Sequence, residues 1–305
     1  MIRADLIDYV CGKIGQTDNA FKAKIGTYGK LRRDMLWQMV LWLDTLSIYT
    51  KAVTADAHTL IMGSQVHRII AAKTTRQGLL PVDQAFLFTN DPQIWERNGD
   101  PIFFSQPAAS GLAVAPATAG EKLALVSSNA ADTGSVSIYG EANGVEYGEV
   151  VALNGTSTVQ TVYDYTDVLN LSKDATAGTI TVTGMTSAAT LLTLLAAQRE
   201  KRHARLRLHE TPSATDTLLV LAKRHPPPFD NDSDTTGLPS LDNALLAFVM
   251  ADALELLRQY AKAKEKNSEG SALLAEAKKN AIYQEARRVT MTPAAPLGED
   301  WDEDY

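Results

Sequence analysis

A chain of 305 residues, 45% hydrophobic and 21% charged, has enough apolar character for one large folded domain or two ordinary ones, which excludes a disordered polypeptide. A formal net charge of -7 excludes a protein that grips nucleic acid over its whole surface, while leaving room for a local basic patch. The single cysteine, Cys11, excludes an intrachain disulfide framework or a cysteine-built metal cluster and reads as a small buried hydrophobe.

Taken in chain order, Ile2–Ile14 reads as a short amphipathic helix; its early acids and broken apolar run are unlike a signal peptide. A polar, glycine-rich loop is expected next, then a strong helix from Lys30 to about Ala52. In that helix Leu31, Met35, Met39, Trp42 and Leu46 mark one face, and Leu36, Trp37, Val40, Leu41, Leu43 and Ile48 cover much of the rest. A helix apolar nearly all round wants burial on several sides, which points to a subunit interface as well as a core. Val66–Ala72 and Ala85–Thr89 read as short strands, and Asn90–Pro101 as turns around a brief strand or helical turn.

Composition shifts sharply at about Pro107–Ser187, which is rich in Ala, Gly, Ser, Thr and Val. Val136 and Ile138 share one face of a strand, and Val145, Tyr147, Glu149, Val151 and Leu153 share a face of the next. Asn143-Gly144 and Asn154-Gly155 are hairpin signals, because both central positions tolerate positive φ. Gly178–Gly184 is a further strand. Short strands at regular spacing predict a small β-sandwich, entered through the Ala115–Gly120 linker.

Beyond it, Leu191–His203 reads as helix, and Arg205–Leu208 as a strand with Thr217–Ala222 as its neighbour. Pro226–Pro228 stop the chain, and an acidic loop follows. A helix is expected from about Ser240 to Lys266, a break at Gly270, and a second helix over Ser271–Val289. The apolar run Leu241–Leu257 carries Asp242, Asp252 and Glu255 and is no membrane span. The expected fold class is therefore α+β: a mainly helical host with a small antiparallel sheet (1–106 and 188–289), an inserted all-β sandwich (107–187) and a C-terminal arm (290–305).

No pattern selects a catalytic centre or a cofactor, so none is expected. Gly26–Arg33 lacks the spacing and hydroxyl that cradle phosphate. The histidines at 58, 67, 203, 209 and 225 form no metal-binding pair on one helix face. Asp230, Asp232 and Asp234 sit at the first, third and fifth positions of a calcium loop. However, the glycine falls at the eighth position and Leu241 replaces the twelfth-position acid, so the stretch reads as a solvated loop capping the next helix. Two basic runs stand out: Arg199, Lys201, Arg202, Arg205 and Arg207, and Lys22, Lys24, Lys30, Arg32 and Arg33. Each is either a solvated face or a patch for DNA phosphates or an acidic partner. Tyr139, Tyr147, Tyr163 and Tyr165 are either packing residues of the sandwich or the lining of a sugar site.

Arg205–Ala281 resembles the C-terminal half of tailed-bacteriophage head-to-tail adaptor (connector, head-completion) proteins. The resemblance is one of arrangement: strand, turn with proline, strand, proline stop, acidic loop with Leu-Pro, long Ala/Leu helix, shorter helix. It is carried by Leu206, Leu208, Pro212, Leu218, Val220, Pro226–Pro228, Asp234, Leu238-Pro239, Leu245, Ala251 and Ala261. The sandwich resembles the immunoglobulin-like modules of phage structural proteins. The resemblance implies a non-enzymatic virion protein of the neck, made in the host cytoplasm. Twelve copies would form a ring beneath the portal protein, bind tail or neck proteins, and let double-stranded DNA pass without touching a membrane. It also implies a portal-docking arm with Trp301 and Tyr305 as aromatic anchors. The alternative is a tail or neck protein whose sandwich recognises a host glycan or another virion protein.

Overall fold

The computed structural model describes residues 1–39, 41–55, 57, 59–83, 85, 89, 98–117 and 119–289. It divides into a helical unit, built from Met1–Leu46 and the chain from Pro226 onward, and a β unit, Ser47–His225.

The helical unit holds α1 (Arg3–Ile14), α2 (Asn19–Met39), α3 (Asp242–Leu256) and α4 (Tyr260–Val289). Gly15, at φ 78°, closes α1 by donating its N–H to the Cys11 carbonyl, a conformation glycine adopts without steric cost. Asp18 caps α2, its side chain accepting the Phe21 N–H at 2.8 Å. The expected glycine-rich loop is thus mostly helix. At Gly29 the two helices pack closely, and a Cβ there would lie 3.2 Å from the Leu6 side chain of α1. The helix expected to run to Ala52 instead ends at Met39. The Trp42 indole turns back to donate to the Leu36 carbonyl at 2.7 Å, and β1 (Leu46–Val53) follows. α3 is buried on nearly every side, from Ala244 and Leu245 to Ala253 and Leu254, and forms the centre of the bundle. The break expected at Gly270 lies instead at Leu257–Gln259, where Arg258 has φ 58°. Gly270 is inside α4, and a Cβ there would meet the Phe248 ring at 3.0 Å.

The β unit has two parts. In the first, β1, β2 (Thr59–Ile61), β3 (Val66–Lys73), β4 (Gly78–Pro81), β6 (Phe103–Ser105), β14 (Arg205–His209) and β16 (Asp216–Arg224) make a sheet ordered β1-β16-β3-β4-β6-β14-β2. It curls into a nearly closed barrel around Val66, Ile69, Phe104, Leu206, Leu208, Leu218 and Val220. β5 (Asn98–Gly99) pairs in parallel with β15 (Thr211–Pro212).

The second part lies in the chain between the paired strands β6 and β14. One sheet orders β10 (Val159–Gln160), β7 (Leu123–Ser127), β12 (Ile180–Gly184) and β13 (Thr190–Leu194). The other orders β11 (Asp167–Lys173), β8 (Ser135–Ala142) and β9 (Val145–Ala152). Their inner faces share a core that includes Leu125, Ile138, Val168, Val182 and Leu192. The Asn143-Gly144 turn joins β8 to β9 with φ 53° and 75°, pairing Ala142 with Val145. The chain enters and leaves this part side by side, Ser110 and His203 exchanging backbone hydrogen bonds at 2.8 and 2.9 Å.

The mainly helical class is therefore overturned: about 35% of the chain is strand and about 30% helix. In place of the helix expected over Leu191–His203 the chain forms β13, whose Leu191, Leu192 and Leu194 complete the sandwich core, and then runs without helix or strand to His203. A short apolar run has no period long enough to separate the two states, and pairing with β12 decides it. Nor is β16 the neighbour of β14: it pairs with β3, and β14 lies between β6 and β2. Residues 86–88 and 90–97, within the segments expected as strand and turns, lie outside the described residues, as does the C-terminal arm.

Candidate assembly surface

The inward face of α2 buries Phe21, Ile25, Leu36 and Trp37. On the outward face Leu31, Met35 and Met39 recur every four residues and stack into one line along the helix. They are 61%, 45% and 42% exposed, and Leu43, just past the helix end, is 44% exposed. Scattered surface hydrophobes need no explanation, but an aligned row on one helix does.

The cations of this helix do not compete for that face. Lys22 pairs with Asp8 at 2.9 Å, Lys30 with Asp230 at 2.5 Å, and Arg32 donates through two nitrogens to Asp252. Arg33 is buried; it donates to the Pro227 carbonyl at 2.6 Å and lies 5.0 Å over the Phe229 ring. The proline stop thus has a structural role in the helical unit, because α2 holds the turn that follows it. The second basic run is largely spent on packing; Lys24 remains exposed.

The acidic loop is also internally committed. Asp234 accepts the N–H groups of Asp230 and Asn231, both at 2.8 Å, which hold its carboxyl below the usual range, and Asp232 pairs with Arg3 at 2.7 Å. Among the described residues no group of three or more His, Cys, Asp or Glu is placed to hold a metal ion.

The first basic run is not one patch. Arg199 and Arg202 are exposed, Arg202 lying 3.6 Å from Glu200, and Lys201 is half-buried. Arg205 is only 8% exposed and grips both oxygens of Asp167. Arg207 is half-buried, and burial lowers its pKa. Trp301 and Tyr305 lie outside the described residues.

Three of the four tyrosines form a packed ladder. Tyr147 stacks on Tyr163 at 4.4 Å, and Tyr163 meets Tyr165 edge-on. Tyr165 is fully buried, and burial, with the Glu149 carboxylate beside it, drives its pKa up. Tyr139 stands apart on the outer face of β8, donating to Glu146. Tyr165 is thus a packing residue, Tyr147 and Tyr163 are half-buried, and Tyr139 is 43% exposed.

Two buried carboxylates carry no mark in the sequence. Burial would raise the pKa of Glu121. It lies below the usual range because the carboxyl accepts the N–H groups of Ala117, Thr186 and Ser187 and the Ser187 hydroxyl. Asp132 is held low by the Ser127 hydroxyl and by the N–H groups of Ala177 and Gly178. Both pin loops of the sandwich. No family model matches the chain, and no curated protein matches it in sequence.

Proposed function

We propose that this chain is a structural subunit of a tailed-bacteriophage neck, an adaptor that assembles as a ring between portal and tail and continues the DNA channel. The observation that carries the reading is the outward row Leu31, Met35 and Met39 on α2. Fully burying one such side chain contributes roughly 1.5–3 kcal/mol, so a row of three, repeated at every subunit contact, is a substantial drive to assemble. A face of this kind meeting a different face on the next copy makes a head-to-tail contact, which gives a ring where the rotation between copies closes and a filament where it does not. The arrangement of Arg205–Ala281 supports the adaptor class, and the net charge of -7 suits a channel through which DNA slides without being held. In this reading the segment bearing Trp301 and Tyr305 is offered to the portal, and the exposed Arg199 and Arg202 are the members of the first basic run still open to DNA or an acidic partner.

The test pairs the purified chain with the portal of its own virus, by electron microscopy and light scattering. Ring-shaped density below the portal is expected for the native chain. It is expected to vanish for the Leu31→Glu/Met35→Glu double variant, whose helix content should stay unchanged because both positions face outward. A native chain that never joins the portal, or a double variant that joins equally well, overturns the reading.

A further inference from the structure

A cleft of about 480 Å³ opens between α1, α3 and α4. Ile14, Met250 and Leu254 give it an apolar lining, and Lys13, Lys262 and Lys266 stand around it. Tyr9, 49% exposed, also lines it, with the Lys13 ammonium 5.7 Å above its ring. One acid, Glu265, is part of the lining, and Lys266 shares its charge with Glu269 at 2.5 Å, so Lys13 and Lys262 against Glu265 leave a surplus of one positive charge. Apolar walls ringed by lysine suit a ligand that is both aromatic and strongly acidic.

The chain contains one such segment. Glu299–Tyr305 reads Glu-Asp-Trp-Asp-Glu-Asp-Tyr, five acids with an aromatic residue at the third and last places. We propose that, in the absence of portal, this cleft receives the Glu299–Tyr305 segment of a second copy of the chain, which the portal would displace from it. Trp301 supplies apolar area to the Met250–Leu254 wall, and the flanking carboxylates meet Lys13 and Lys262. Partial desolvation in the cleft strengthens each of those pairs over a surface pair.

Chain length decides between a second copy and the segment's own cleft. From Glu265, in the lining, to Val289 the helix α4 extends about 36 Å. Residues 290–301 reach at most about 42 Å when fully extended. Returning to the same cleft would need an almost straight run through Pro293, Pro296 and Gly298. A neighbouring copy imposes no such demand, and a tail seated in a neighbour is the kind of contact that closes rings. The cleft uses no residue of α2, so this inference stands apart from the reading of the Leu31–Met39 row.

The experiment uses the full chain, without portal, carrying Trp301→p-benzoyl-phenylalanine or, so that the aromatic anchor is kept, Leu297→p-benzoyl-phenylalanine. Equal amounts of ¹⁵N-labelled and unlabelled chain are mixed, irradiated and digested for mass spectrometry. Heavy-to-light cross-links to peptides containing Tyr9–Ile14, Met250–Leu254 or Lys262 are expected. Lys13→Glu/Lys262→Glu should cut their yield about tenfold, the size of a loss near 1.4 kcal/mol. Raising salt to about 0.5 M should cut it in the same direction, with circular dichroism unchanged. Cross-links within single chains only, cross-links elsewhere, or a yield insensitive to the charge reversal overturn the proposal.

Discussion

With its guanidinium donating to both Asp167 oxygens, and more weakly to the Val168 carbonyl at 3.3 Å, Arg205 ties barrel strand β14 to sandwich strand β11. Its neighbours in the basic run do other things: Arg199–Arg202 precede the strand, and Arg207, on the same face of β14 as Arg205, is only half-buried. Arg205→Ala leaves Asp167 without that partner. Asp167 is 32% exposed, so water covers part of the loss, and the cost should fall below the 3–5 kcal/mol of a fully buried broken pair, at about 1–3 kcal/mol. A drop in the urea midpoint of the β unit, with faster proteolysis near Ser110 and His203, is the expected readout. Arg205→Lys should recover only part of it, since an ammonium cannot make two parallel bonds. An Arg205→Ala chain as stable as the native one would show that the pair contributes nothing.

Among the elements, Gly270 is where local propensity and packing pull hardest against each other. A glycine within a polar stretch looks like a helix break, yet α4 runs through it, because the Phe248 ring of α3 lies where a side chain would sit. Gly270→Leu removes a residue that weakens the helix by about 1 kcal/mol, but it drives a bulky side chain into that ring, at a cost of typically 1–3 kcal/mol or more. A net loss is expected by thermal unfolding, and Phe248→Ala should be less harmful in the Gly270→Leu background than alone. A stabilised Gly270→Leu chain would contradict the packing. What the sequence made legible was what short-range signals encode: α1, the strands Val66–Ala72 and Arg205–Leu208, and the Asn143-Gly144 hairpin. The end of α2 was hidden, since hydrophobic residues continue past Met39 and only the Trp42 indole, folding back six residues, marks the stop. The barrel was hidden too, because β1 pairs beside β16, far away in sequence. For the candidate surface, the periodicity marked Leu31, Met35 and Met39 as one face; that Leu36 and Trp37 would take the inside depended on α1 and α3.

At the scale of the whole molecule the two units differ in what protons do to them. All five histidines belong to the β unit, and Met1–Leu46 and the chain from Pro226 onward contain none. Four of the five are described: His203 and His209 are buried, His67 and His225 lie at the surface, and all four have pKa values below the usual one. His209, beside Ser105 at 2.8 Å, is pushed down to about 4 by burial and by Arg207. His203 is lowered by burial despite its bond to the Met62 carbonyl, and the exposed pair His67 and His225, 4.7 Å apart, is lowered by partial desolvation and by nearby positive charge. In each case the unfolded chain binds the proton more readily than the folded one. Stability is therefore complete above the ordinary histidine value near 6.5 and is lost as pH falls towards the folded value, by up to about 3 kcal/mol for His209. Carboxylates enter only lower: Glu121, Asp132 and Asp216 in the β unit and Asp234 in the helical unit are held low, so their contribution is lost only below about pH 4. Between pH 7 and 5 the two units should part company. Hydrogen exchange, corrected for the intrinsic rate, should show protection falling in the β14 and β16 peptides while the α3 peptides hold. His209→Gln keeps a polar group beside Ser105 but cannot titrate, so it should flatten the β-unit response. Equal loss in α3, or an unchanged slope in His209→Gln, would mean that buried histidines do not set the acid response of this chain.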